Sequence, residues 1–145
     1  MMLIEHIDAI ARKKKRDVIF VEFRHLEIGK RRKKLLPYDA LVVEWENLPA
    51  RRKVIKWLDT QAIRWRPCGN FADLNYVLSY RGQLYIDLPH DSELPVFQQL
   101  TAFMEETDGS TRIPGVKFLC CTLEQAMVNA FHDESGFWER WAENF

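Results

Sequence analysis

Cysteine is scarce in this chain: Cys68, Cys120 and Cys121 are the only three in 145 residues. An odd number with no Cys-x-x-Cys spacing excludes a disulfide framework, a thioredoxin-like dithiol and a cysteine-built structural zinc site, and it fits reduced thiols in the cytoplasm. Cys120 and Cys121 are neighbours on an expected strand and so face opposite sides. Cys68, in the turn-like Pro67-Cys-Gly-Asn70, is the one thiol expected at the surface. Glycine is equally sparse, at six residues. Gly29-Lys30 lacks the upstream glycine of a phosphate-binding loop, and no glycine-rich dinucleotide turn occurs. Apolar runs are short. Val18–Val21 and Ala40–Val43 are four residues each, against roughly 20 for a membrane span. The N-terminal apolar residues are broken by Glu5, His6 and Asp8, with basic residues following them, which is not the pattern of a secretory leader. No repeat, low-complexity tract or Gly/Ser linker divides the chain, so residues 1–145 are expected to form one domain without membrane association.

Net charge is also absent, but only in total. Seventeen of the 21 Lys and Arg precede residue 67 together with nine of the 21 acids, so the first part carries +8 and the remainder −8. A sign asymmetry between halves points to a charged partner. The 47% hydrophobic and 29% charged composition is that of an ordinary folded domain.

Periodicity predicts the elements. Leu3, Ile4, Ile7, Ile10 and Ala11 follow helical spacing over residues 2–15, with acids early and Arg12–Arg16 late, as the helix dipole favours. Residues 17–23 read as a strand, 24–38 as an exposed loop, and Ala40–Trp45 as a second strand antiparallel to the first. Asn47 is placed to cap a helix with Pro49 in its first turn and Leu48, Val54, Ile55, Leu58 and Ala62 on its buried side. Short strands are expected at Ile63–Arg66, Tyr76–Tyr80 and Gln83–Leu88, the last two flanking an Arg81-Gly82 hairpin turn. Ser92 opens a helix carrying Val96, Phe97, Leu100, Phe103 and Met104, closed by Asp108-Gly109. After a Pro114-Gly115 turn, Val116–Cys121 reads as a buried strand. Thr122-Leu-Glu-Gln125 is a capping box before a fourth helix, and Ser135 precedes a last one. This order predicts a single α+β domain: a mostly antiparallel sheet of five to six strands with helices on one face, containing a split βαβ-like (ferredoxin-like) string.

Three basic runs carry the functional expectation. They are Arg12, Lys13, Lys14, Lys15 and Arg16; Lys30, Arg31, Arg32, Lys33 and Lys34; and Arg51, Arg52 and Lys53. The last opposes its own helix dipole, and a cationic helix N-terminus is a natural anion site. If the first two strands pair, Arg51–Lys53 falls beside Arg12–Arg16, with Lys30–Lys34 roughly 20 Å away along the strand. These residues predict a non-catalytic interaction or regulatory module for an anionic macromolecule, protein or nucleic acid. Trp45, Trp57 and Trp65 lie near the runs but are not interleaved with them as a base-stacking platform requires. Phe137, Trp138, Trp141 and Phe145 form an aromatic face on the final helix. It either docks on this chain or serves as an interface, including that of a homodimer.

Enzymatic readings rest on less. The four histidines have no paired metal spacing. Asp87, His90, Asp91 and Glu93, at a strand end leading into a helix, are the catalytic candidates, as a carboxylate/His cluster for metal-dependent hydrolysis. Acids at a helix start are equally what the dipole prefers. No cofactor is implied by any motif.

Overall fold

Val18–Phe23 forms strand β1, as its β-branched and aromatic residues dictate, and it organises the molecule. The computed structural model describes residues 4–24, 45–72 and 80–143. Besides β1, the strands are β2 (Trp65–Pro67), β3 (Leu84–Ile86) and β4 (Val116–Cys121). Helices are α1 (Ile7–Lys14), α2 (Pro49–Thr60), α3 (Pro95–Met104), α4 (Leu123–Met127) and α5 (Phe137–Glu143), with 3-10 turns at Trp45–Asn47 and Ala130–Asp133. The fold is α+β.

All strand pairs of the four-stranded sheet are antiparallel, in the order β2-β3-β1-β4. β4 pairs with β1 from Val18 to Phe23, and β3 covers its other edge from Ile19 to Val21. The expected strand Ala40–Trp45 cannot be followed beside β1 among the described residues, where β4 and β3 are the paired neighbours of β1. Residues 40–44 and most of the Tyr76–Tyr80 strand lie outside the described residues, and Trp45 is in a 3-10 turn.

Strand alternation sends side chains to two faces, and both are covered. Ile19, Val21, Leu84, Ile86 and Val116 pack with Val54 and Leu58 of α2 and Phe97, Leu100 and Met104 of α3. On the opposite face Val18, Phe20, Tyr85 and Cys121 pack with Ile7, Ile10 and Ala11 of α1 and Ala126 of α4. Helices on one face only was the expectation; two apolar clusters, one per face, correct it. The pattern explains why β1 is apolar at nearly every position instead of alternating.

Local signals set several boundaries. Thr122 caps α4 through the complete capping box, its hydroxyl accepting from the Gln125 N–H and the Gln125 side chain accepting from the Thr122 N–H. α1 starts at Ile7 and not at residue 2, because Glu5 and Ile7 exchange backbone bonds with Gly69, at 2.8 and 3.1 Å, as in a parallel bridge. Asn47 is not the cap of α2. Leu48 takes that place without a side-chain bond, and Asn47 accepts from Arg52 at 2.7 Å. Cys68 is fully buried, its N–H donating to the Gln83 carbonyl, where surface exposure was expected.

Candidate functional site

The basic run at the end of α1 is largely neutralised within the chain. Arg12, only 8% exposed, makes a two-bond contact with Asp133 (2.8 and 2.9 Å) and a 2.9 Å bond with Asp8 one helical turn earlier. Lys13 pairs with Glu5 at 2.9 Å. Lys14 and Arg16 both reach the Asp87 carboxylate, at 3.5 and 3.0 Å. Lys15 is exposed, caps α1 in the left-handed conformation and meets no carboxylate among the described residues.

Arg51 lies elsewhere. It is 5% exposed, its Nε donating to the Gly82 carbonyl at 3.0 Å and its Nη2 to the Tyr80 hydroxyl at 2.8 Å. Gly82 and Asp87 flank opposite ends of β3, so Arg51 and Arg16 are separated by roughly 16 Å of strand at ~3.3 Å per residue. The expected merger of Arg51–Lys53 with Arg12–Arg16 does not occur, since Arg51 is held at the Gly82 end of β3 and Arg16 at the Asp87 end. What remains on α2 is a smaller group. Arg52, Lys53 and Lys56 are exposed on its first two turns, no acid lies in the first turn, and none of the three pairs with a carboxylate among the described residues. Lys30, Arg31, Arg32, Lys33 and Lys34 lie outside the described residues.

The proposed hydrolytic cluster does not assemble. Asp87 faces α1, accepting from the Tyr85 hydroxyl at 2.8 Å and from Arg16 at 3.0 Å. Burial pushes its carboxyl up, but the Tyr85 bond and the Lys14 and Arg16 cations outweigh that and hold it below the usual range. Asp91 accepts from the Glu93 N–H at 3.0 Å, a loop-shaping bond. His90 belongs to a different set: one ligand atom each of Asp17, His90 and Cys120 lie within 4.8 Å of one another. The sequence concealed this group because its members are 73 and 30 residues apart; the pleat brings Asp17 and Cys120 to one face, since Ile19 is opposite Cys120.

Measured against protein-family models, curated proteins and solved structures, the chain matches none. Function therefore rests on geometry.

Asp8, read from the sequence as an early acid of the first helix, is fully buried. Its carboxylate accepts from the Ala72 N–H (2.9 Å), Arg12 (2.9 Å) and Asn129 (3.0 Å). Burial raises its pKa, yet these bonds leave it lowered overall. Below this network the aromatic face of α5 docks on its own chain. The His132 ring lies 4.4 Å from Phe131, 4.5 Å from Phe137 and 4.8 Å from Trp138, while Trp141 contacts Trp138 at 5.5 Å. Trp138 keeps 37% exposure; Phe145 lies outside the described residues. Burial lowers the His132 pKa, and neither ring nitrogen has a hydrogen-bond partner among the described residues. Cys68 is inert by the same physics, burial pushing its thiol up to about 12.

Proposed function

We propose that this chain is a small non-catalytic interaction module that engages an anionic macromolecule through the exposed face of α2. The observation that carries the reading is the trio Arg52, Lys53 and Lys56, which meet no carboxylate among the described residues, on a helix whose dipole adds positive charge at that end. Surface cations with acids nearby contribute little to recognition, whereas unpaired ones steer an encounter. Residues 52 to 56 span only about 6 Å of helix axis at 1.5 Å per residue. A patch of that size suits an acidic protein segment better than the many phosphates of a duplex. A second copy of the chain, which has acidic surface of its own, is one such partner. A cytoplasmic setting belongs to the same proposal, supported by three free thiols. No described helix is long and apolar enough to cross a membrane.

The strand order supports reading the core as a split βαβ string with β1 as its first strand. β1-α2-β2 and β3-α3-β4 would be the two interleaved units, and both helices lie on one face of the sheet. On that reading α2 packs beside α3 on one sheet face and leaves its cationic side outward, which supports its use as a recognition helix.

The test is a pull-down with mass spectrometry, comparing the wild type with an Arg52→Glu/Lys53→Glu/Lys56→Glu variant. All three side chains are exposed, so the variant should keep the wild-type melting curve and lose the partner. Equal recovery from both baits rejects the patch. Binding to labelled DNA or RNA at about 50 mM salt, falling steeply as salt rises, would move the partner class to nucleic acid.

A further inference from the structure

We propose that Asp17, His90 and Cys120 form a binding site for one divalent transition-metal ion of the zinc class. The three residues come from separate elements: Asp17 just ahead of β1, His90 in the loop between β3 and α3, and Cys120 within β4. One ligand atom from each lies within 4.8 Å of the other two. The donor set is a carboxylate oxygen, an imidazole nitrogen and a thiol sulfur. That mixture discriminates against magnesium and calcium, which take oxygen ligands, and fits zinc, cobalt and their neighbours.

The surroundings are those of a prepared site. The Oδ1 of Asp17 already accepts from the Leu123 N–H at 2.8 Å, which fixes the carboxylate's orientation as outer hydrogen bonds do for metal ligands. The His90 ring stands edge-on to Phe97 with centroids 5.3 Å apart, and it makes no hydrogen bond among the described residues. Phe97 in turn contacts Phe118, so the imidazole and the thiol meet at the rim of an apolar layer. Tetrahedral coordination at ~2.0–2.3 Å places donors about 3.5 Å apart. Closing from within 4.8 Å requires a movement of about 1 Å, which the exposed His90, on a loop, can supply. On binding, the Sγ–H bond of Cys120 breaks, its proton goes to solvent, and sulfur donates its electron pair to the ion. Three protein ligands leave a fourth position for water or for a donor atom of another molecule.

The site is independent of the α2 patch, which lies on other residues, so the two fail separately. The test uses the full chain, stripped with chelator and titrated with Co²⁺ and then Zn²⁺. The expected result is one ion per chain, with the visible bands of tetrahedral cobalt and a near-ultraviolet thiolate-to-cobalt band. Cys120→Ser should abolish the near-ultraviolet band. His90→Ala, at an exposed position and so neutral to folding, should weaken affinity at least tenfold and remove the rise in melting temperature that Zn²⁺ causes in the wild type. Absence of the thiolate band in the wild type overturns the proposal. So does its persistence in Cys120→Ser, or an undiminished Zn²⁺ effect in His90→Ala.

Discussion

A carboxylate with no exposure needs its oxygens answered by donors, and Asp8 is answered from three directions by Ala72, Arg12 and Asn129. These contacts reach residues 64 and 121 positions away, so one side chain ties α1 to two remote segments. Removing it would leave the Arg12 guanidinium, itself buried, with Asp133 as its one remaining carboxylate. It would also strand the Ala72 N–H and leave the Asn129 amide with the Ala72 carbonyl as its remaining acceptor among the described residues. Breaking a buried pair from one side typically costs ~3–5 kcal/mol, because the remaining charge is uncompensated. Because Asp133 still compensates Arg12, Asp8→Ala should lower unfolding free energy by at most about that amount, read from the midpoint of a urea or guanidinium titration at unchanged slope. The pair was not legible beforehand. Asp8 and Arg12 at i, i+4 look like an ordinary surface ion pair of an amphipathic helix, and nothing local reveals that Ala72 and Asn129 close over them.

Elements whose boundaries depend on neighbouring residues were readable; those set by remote contacts were not. Thr122 and Gln125 define the start of α4 by themselves, and the composition of residues 18–23 suffices for β1. The start of α1, by contrast, is decided by Gly69, and the burial of Arg51 by the Gly82 carbonyl. That second contact makes the approach of α2 to the sheet testable. Gly82 has a φ of +81°, and a Cβ there would meet the Trp45 Cβ at 3.0 Å and the Arg51 Cδ at 3.3 Å. Gly109 has a φ of +86° with nothing within 4 Å of the same position. Left-handed strain in a residue other than glycine costs of order 1–3 kcal/mol. Gly109→Ala should show this backbone cost alone, and Gly82→Ala the same cost plus that of displacing Trp45 and Arg51. Thermal melts of the two variants side by side measure the difference, and equal shifts would show that α2 does not press on this turn.

Across the whole molecule the opposite signs of the two parts meet inside the fold. Arg12 joins Asp133, and Lys14 and Arg16 join Asp87, so basic residues from the start of the chain find acids 71 to 121 positions later. Counting charges revealed the asymmetry but could not say that much of it is satisfied internally, because sequence separation carries no pairing information. The candidate metal site was hidden for the same reason. Internal pairing makes stability depend on pH in a definite direction. Burial holds His6 and His132 below their ordinary 6.5, so the unfolded chain binds protons there more readily than the folded one. Their contribution is complete above pH 6.5 and is lost as pH falls below it, by at most about 1.4 kcal/mol per pH unit for His132. For Glu5, Asp8 and Asp87, burial raises the pKa but hydrogen bonds and nearby cations hold it down overall. These carboxylates add stability above their unfolded values of 4.5 and 3.8, and it is lost as pH falls through the lower folded values. Both groups act in the same direction, so stability should decline in two steps on acidification, one beginning near pH 6.5 and one below about 4.5. Denaturant midpoints from pH 8 to pH 3 trace the curve. His132→Phe should shrink the first step to the share of His6 and leave the second, whereas an unchanged first step would show that burial does not lower the His132 pKa.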